Sequence, residues 1–130
     1  MKASGTFEVK IQPLDSYVSG SEGTSLGRMS IDKTFQGDLS GQSAGQMLTA
    51  MTAVEGSAGY VAIEQVEGTL GGKKGTFALQ HFGTIDEGGQ RLILEVVPDS
   101  GTGKLAGLSG SMTIHQEDGQ HFYEFEYTLA

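Results

Sequence analysis

The sequence predicts an all-β protein, built either as a closed antiparallel barrel or as a sandwich of two sheets. Three observations predict it: side chains alternate between apolar and polar along most of the chain, glycine occupies 21 of 130 positions, and only one segment has a helical pattern. Alternation with a period of two is typical of strands that have one buried face. Glycine at strand bends lets a sheet curve, which favours the barrel.

The first predicted strand runs from Lys2 to Gln12 and places Phe7, Val9 and Ile11 on its apolar face. Pro13 is expected to end this strand, because proline cannot donate a hydrogen bond to a neighbouring strand. Residues 13–27 are rich in serine and glycine and predict a long loop, which in a compact domain is usually functional or mobile. Further strands are predicted at residues 28–35, 60–70, 75–85, 91–97, 110–116 and 121–129.

The segment 43–55 is ambiguous. Its residues Met47, Met51 and Val54 lie at helical spacing, and its composition is rich in residues with high helix propensity. The alternation of Met47, Thr49 and Met51 fits a strand equally well. Propensity alone favours the helix.

The last predicted hairpin can be tested by counting residues. Asp118-Gly119 is typical of a two-residue turn between antiparallel strands. Pairing outward from this turn places Met112 opposite Phe125 and Gly110 opposite Tyr127, so that the glycine makes room for an aromatic ring. Apolar and polar side chains then separate onto opposite faces, which supports the register.

An internal repeat relates residues 68–79 to residues 103–114, with glycines that coincide at 68/103, 72/107 and 75/110. Each copy predicts a tight glycine turn that leads into a strand. A loop of even length at residues 71–74 places Glu64 opposite His81 on the inward face, on which Phe77 also lies. A loop of odd length would separate them.

Composition excludes several classes of function. Eight basic residues against 16 acidic ones give a net charge of −8, so neither nucleic acid nor an anionic membrane surface is an expected partner. The chain has no cysteine, which excludes disulfides, thiolate zinc sites and a cysteine nucleophile. No stretch has the length and hydrophobicity of a signal peptide or a membrane span, and we therefore expect a cytoplasmic protein.

Short matches to known motifs carry no function here. Residues 41–45 fit the pattern G-x-S-x-G, but the segment before them is too polar, and the chain too short, for the large parallel sheet that this motif requires. The glycine–lysine pairs at 72–73 and 103–104 lack the spacing of a phosphate-binding loop. The predicted hairpin places His115 and His121 on opposite faces, so they cannot share a metal ion. We expect no metal and no cofactor.

Glu64 and His81 form the most informative candidate pair. A carboxylate beside an imidazole in an apolar cavity can orient a ligand or move a proton. The alternative is a hydrogen-bonded polar pair near the rim of the barrel. Lys33 lies on the apolar face of the second strand and is expected to extend to the rim, with its ammonium in water. Together with aromatic residues that either pack or line a pocket, the candidate ligand-binding residues are Glu64, His81, Phe77, Tyr123, Tyr127 and Lys33.

Residues 101–110, with the sequence Gly-Thr-Gly-Lys-Leu-Ala-Gly-Leu-Ser-Gly, resemble the glycine-rich signature of the allene oxide cyclase and dirigent barrels. Residues 59–64, 75–81 and 123–127 are similar to those of a bacterial domain-of-unknown-function family placed with these barrels. The resemblance spans nearly the whole chain. It implies an eight-stranded antiparallel barrel of the allene oxide cyclase-like kind, and it implies a strand at residues 43–53. It implies no established activity.

Three functions therefore stay open for a single domain over residues 1–130. The first is a barrel that binds a small apolar or amphipathic molecule in its interior or mouth. The second is a cofactor-free cyclase or isomerase that acts on such a molecule. The third is a filled barrel that acts through its outer surface as an oligomer; the resemblance makes a homodimer or homotrimer plausible, although the outer faces predicted here are polar. The volume of the cavity separates these possibilities.

Overall fold

Eight antiparallel strands follow one another around a closed barrel, in which β8 returns to pair with β1. The structure is a computed structural model that describes residues 1–129. The strands are β1 (Lys2–Leu14), β2 (Ser25–Gly37), β3 (Leu39–Met51), β4 (Ala58–Leu70), β5 (Lys73–Asp86), β6 (Gly89–Val96), β7 (Ser109–Glu117) and β8 (Gln120–Thr128), with a 3₁₀ turn at Gly103–Leu105. No helix in the described part of the chain is long and apolar enough to span a membrane.

The helix favoured by propensity at residues 43–55 is wrong, and the strand implied by the resemblance is confirmed by β3. Over most of its length β3 is paired with β2 on one side and with β4 on the other. These two ladders satisfy its backbone hydrogen-bonding groups, and its inward side chains contribute to the barrel interior. Tertiary pairing therefore outweighs the intrinsic helix propensity of this segment.

The first strand does not end at Pro13, as the sequence predicts, but continues to Leu14. Pro13 pairs with Met29 of β2, whereas the pairing of β1 with β8 ends at Phe7. The second half of β1 therefore has a free edge, and free edges tolerate proline in a strand. The loop predicted at residues 13–27 shortens to residues 15–24.

The turn at Asp118-Gly119 and the turn between β4 and β5 both place the expected residues on the expected faces. The Asp118-Gly119 hairpin has the predicted register, with Met112 opposite Phe125 and Gly110 opposite Tyr127. The turn between β4 and β5 has two residues, 71 and 72, rather than four. His81 therefore lies opposite Ala62 and not opposite Glu64. Because side chains alternate with a period of two, this shift of two residues leaves both on the inward face.

The two ends of the barrel differ. At one end, which we call the filled end, the interior is packed with buried apolar side chains. This end is closed by Leu105 and Leu108 of the connection between β6 and β7, both fully buried. Gly75 allows this closure, because a Cβ there would overlap the backbone of Thr102. The other end is open and forms a cavity, which we call the cup.

The strand ladder is weakest between β6 and β7, which share a single pair, Glu95 with Ser111. After β6 ends at Val96, the connection to β7 runs along β5 and pairs with it. The backbone N–H of Val97 donates to the carbonyl of Ala78 at 2.9 Å, and that of Thr102 donates to the carbonyl of Thr76 at 2.8 Å. The connection therefore takes the hydrogen bonds that β6 would otherwise make to this part of β5.

Candidate functional site

The cup is a cavity of about 420 Å³ that opens to solvent at one end of the barrel. Its wall is almost entirely apolar and is formed by inward-facing residues from six strands and by the residues at the start of β4. The wall residues include the three methionines Met29, Met47 and Met51 and the aliphatic residues Val9, Ile11, Ile31 and Ile114. Methionine is flexible and polarisable, so such a wall adapts to apolar molecules of different shape.

The aromatic side chain of Tyr60 shapes one side of the cup. Its ring lies over Gly83, the residue directly opposite on β5, where a Cβ would overlap the ring. Burial raises the pKa of the Tyr60 hydroxyl above its ordinary value, so the hydroxyl is neutral at physiological pH. The loop at residues 15–24 lies at the same end of the barrel, since it joins the ends of β1 and β2 that form the mouth.

Four polar side chains meet at the floor of the cup, and Glu64 is at their centre. The Nζ of Lys33 donates to its Oε2 at 2.8 Å, the Nε2 of His81 hydrogen-bonds to the same oxygen, and the Oγ of Ser43 donates to its Oε1 at 2.6 Å. All four residues are buried, and Glu64 has no exposed surface. Both oxygens of the carboxylate are therefore occupied by neighbouring side chains.

These contacts determine the ionisation of Glu64. Burial by itself would raise the pKa of the carboxyl group, because it disfavours the charged form. The hydrogen bond from His81, the positive charge and hydrogen bond of Lys33, and the hydrogen bond from Ser43 together lower this pKa from 4.5 to about 2. Glu64 is therefore an anion at physiological pH.

The structure brings three of the predicted residues together in one network, but in different roles from those expected. His81 and Lys33 line the cavity, whereas Glu64 lies behind them and does not. The expectation that Lys33 extends to the rim is wrong, because its side chain is only 4% exposed. Its ammonium binds the buried carboxylate and lies 5.1 Å from the ring centre of Phe7. These two interactions replace contact with water.

The other three predicted residues lie in the filled end and do not line the cup. The ring of Phe77 stacks on Phe125, and Tyr127 packs against the same ring. Tyr123 is buried, and its hydroxyl accepts a hydrogen bond from the backbone N–H of Leu39 at 2.9 Å. We therefore assign Phe77, Tyr123 and Tyr127 to core packing.

Sequence reasoning missed Ser43 as part of this network. The G-x-S-x-G pattern drew attention to it as a nucleophile, but Ser43 lies in the middle of β3, without the strand–turn–helix context that such a nucleophile needs. The signal that identifies its role is its position opposite Val66, two residues along β4 from Glu64. The helix propensity of residues 43–55 gives no indication of this pairing.

The described residues contain no cluster of three or more histidine or acidic side chains able to hold a metal ion. His121 lines the cup and stacks on Phe7, whereas His115 lies on the outer surface and stacks on Phe122. The two histidines are on opposite faces of the hairpin, as its register predicts.

Charged side chains are distributed unevenly over the outer surface of the barrel. Outward-facing positions within residues 44–50, 59–65 and 78–84 carry no charged side chain, although the chain has 24 charged residues. A row of exposed apolar side chains crosses this region through directly paired positions. The row consists of Leu48, Val61, Phe82 and Ile93, and Ile63 lies beside it. The polar outer surface that the sequence predicts is therefore wrong for this region, which we call the uncharged face.

The chain matches the family model described as a protein of unknown function, DUF3224, over residues 3–127. It is also similar to a solved structure, that of a protein of unknown function from the DUF3224 family of Shewanella oneidensis MR-1. The two chains share 56% sequence identity with a TM-score of 0.96, and the alignment covers 100% of this chain and 98% of the other. No curated protein matches the chain. The bacterial family expected from the sequence is thus confirmed, and the protein belongs to the DUF3224 family, whose function is unknown.

Proposed function

We propose that the protein binds one small apolar or amphipathic molecule in the cup, with the apolar part of the ligand against the methionine-rich wall. The polar end of the ligand lies at the floor, where Lys33 and His81 reach the cavity. The observation that carries this proposal is the combination of a largely apolar cavity of about 420 Å³ with two polar side chains at its base. Cavities of this size and character are typical of sites for small organic molecules.

We also propose that the protein is related to the allene oxide cyclase-like barrels, as residues 101–110 suggest. The closed eight-stranded antiparallel barrel and the glycine-dependent closure of its filled end support this kinship. Fold similarity does not specify a ligand, so the ligand class is argued from the cup alone.

A first experiment is to denature the purified protein, extract it with organic solvent and search the extract by mass spectrometry for a stoichiometric small molecule. A second is titration with the uncharged apolar dye Nile red. We expect saturable binding of one dye per chain to the parent protein. Met47→Trp, which fills the cup, removes this binding, whereas Gln42→Trp on the exposed side of the same strand retains it. Equal dye binding by the parent and Met47→Trp proteins would overturn the proposal.

We further propose that the uncharged face pairs with the same face of a second copy of the chain. Each copy carries a net charge of −8, and pairing through a face whose outward positions carry no carboxylate keeps the like charges of the two copies apart. Depletion of charged residues, together with apolar and aromatic side chains, is typical of the core of a protein–protein interface. A pairing of identical faces closes as a twofold dimer.

Sedimentation equilibrium over a range of protein concentrations tests this pairing. We expect a dimer for the parent protein and a monomer for Ile63→Lys, which introduces a charge beside the apolar row at a side chain that is 57% exposed. Thr113→Lys, on the exposed outer surface of β7, is the matched control and remains dimeric. A parent protein that is monomeric at every concentration, or an Ile63→Lys variant that remains dimeric, would overturn the pairing.

A further inference from the structure

The two ring nitrogens of His81 have different surroundings. Its Nε2 hydrogen-bonds to Oε2 of Glu64. Its Nδ1 has no hydrogen-bond partner among residues 1–129 and is not enclosed by protein, since the residue lines the cup. An ionised carboxylate only accepts hydrogen bonds, so the proton of the neutral imidazole lies on Nε2. The lone pair of Nδ1 is therefore free to meet a molecule in the cavity.

A cation lies near this imidazole. The Nζ of Lys33 donates to the same Oε2 that Nε2 of His81 contacts, so Nζ and Nε2 lie within about 6 Å of each other. Lys33 also lines the cavity, and its ammonium is 5.1 Å from the ring centre of Phe7 and 5.8 Å from that of Phe35. A proton acceptor and a fixed positive charge therefore both line the floor of the same cavity.

We propose that His81 removes a proton from carbon in a molecule bound in the cup, and that Lys33 stabilises the negative charge that develops on an oxygen of that molecule. This inference rests on the proposed binding function. The substrate class is apolar carbon acids, such as enolisable ketones. The reaction needs no redox cofactor, because a transfer of a proton between two carbons leaves the oxidation state of the molecule unchanged.

For an enolisable ketone the step balances within the site. Nδ1 of His81 takes the proton from the carbon beside the carbonyl group, and the electron pair of that C–H bond forms a carbon–carbon double bond. The carbonyl π electrons move to the oxygen, which becomes an enolate beside the ammonium of Lys33. When the ketone also has a double bond between its β and γ carbons, the enolate is conjugated with that bond. The imidazolium then returns its proton to the γ carbon as the carbonyl group re-forms, so that the product is the α,β-unsaturated isomer of the substrate.

Glu64 and Ser43 act as positioning residues in this proposal. The carboxylate keeps the proton of the neutral imidazole on Nε2 and stabilises the imidazolium formed after proton transfer. Ser43 holds the second carboxylate oxygen and thereby fixes its orientation. Neither residue lines the cavity.

The experiment uses 5-nitrobenzisoxazole, a small apolar carbon acid, as the probe. Removal of its ring C–H proton by a base forms a nitrile and breaks the N–O bond, and the single product, a cyano-nitrophenolate, is measured by its absorbance. We expect His81→Gln to lower kcat/KM about 100-fold, the lower part of the range for a general base. His115→Gln, on the outer surface, leaves kcat/KM unchanged. Deuterium at the reacting carbon slows the parent reaction.

Three outcomes distinguish the two proposals. Dye binding that persists in His81→Gln while the reaction is lost supports proton transfer by this histidine. Equal rates for His81→Gln and the parent protein, or no effect of deuterium, overturn proton transfer and leave binding intact. Absence of dye binding by the parent protein overturns the binding function itself.

The tautomer of His81 is an independent check, measured by ¹⁵N NMR of the imidazole. We expect the Nε2–H tautomer in the parent protein and a smaller population of it in Glu64→Gln. A dominant Nδ1–H tautomer in the parent protein overturns the assignment of Nδ1 as the base.

Discussion

Replacement of Glu64 by glutamine removes the negative charge shared by Lys33 and His81 and leaves a buried ammonium without a counter-ion. The structure gives the magnitude. The pKa of Glu64 is lowered from 4.5 to about 2, and each pH unit of such a difference corresponds to about 1.4 kcal/mol. The ionised carboxylate therefore contributes about 3 kcal/mol to the free energy of unfolding at neutral pH. This value agrees with the typical cost of removing one partner from a buried ion pair, which is about 3–5 kcal/mol.

The pH dependence has a defined sign. Because the folded-state pKa of Glu64 lies below its unfolded value, the contribution is present above pH 4.5 and is lost as the pH falls towards 2. Urea unfolding of the parent protein and of Glu64→Gln at neutral pH, and again across this acid range, measures both effects. We expect a loss of about 3 kcal/mol at neutral pH, a fall in Tm of about 10 °C, and a weaker acid dependence in the variant.

The matched control is Glu67→Gln, on the exposed side of the same strand, which changes the free energy of unfolding by no more than about 0.5 kcal/mol. A loss in Glu64→Gln as small as that of the control would refute the reasoning. So would an acid dependence as steep as that of the parent protein. Addition of Lys33→Met to Glu64→Gln restores part of the lost stability, because no buried charge then lacks a partner.

Three further predictions concern neighbouring parts of the barrel. Gly83→Ala forces the Tyr60 ring towards the cup; we expect a loss of about 1–3 kcal/mol in urea unfolding and weaker Nile red binding, and unchanged values of both would contradict the contact. Tyr123→Phe leaves a buried backbone N–H of β3 without its acceptor; we expect a loss of about 1–3 kcal/mol with unchanged dye binding, because this residue lies outside the cup. Ser43→Ala removes a hydrogen bond to a buried anion; we expect a loss of about 1.5–3 kcal/mol and an acid-induced loss of stability that begins at higher pH, since the pKa of Glu64 rises.

Much of the barrel could be predicted from the sequence because alternation and turn chemistry are local signals. The hairpin at Asp118-Gly119 is the clearest case, since a two-residue turn fixes every pair that follows it. The segment 43–55 shows the limit of such reasoning. Its side chains favour a helix, and only pairing with strands distant in sequence makes it a strand, which no local pattern contains.

The candidate site was predicted in part. The sequence predicts a turn at Gly71 that is two residues longer than the observed one. Glu64 and His81 nevertheless both face inward, as predicted, because strand faces repeat every second residue. The burial of Lys33 could not be predicted, since a lysine near the end of a strand ordinarily reaches water. Its counter-ion lies 31 residues away on β4, and the two strands are not neighbours in the barrel.

The connection between β6 and β7 has a consequence for solubility. Where β6 diverges from β5, the backbone of Thr76 and Ala78 would form an open strand edge, to which a strand of another molecule could add. Ser100 and Thr102 occupy that edge: the Oγ of Ser100 accepts from the N–H of Ala78 at 3.0 Å, and Oγ1 of Thr102 accepts from the N–H of Thr76 at 3.1 Å. The same connection, residues 97–108, that closes the filled end therefore also protects the barrel from edge-to-edge aggregation at its weakest seam.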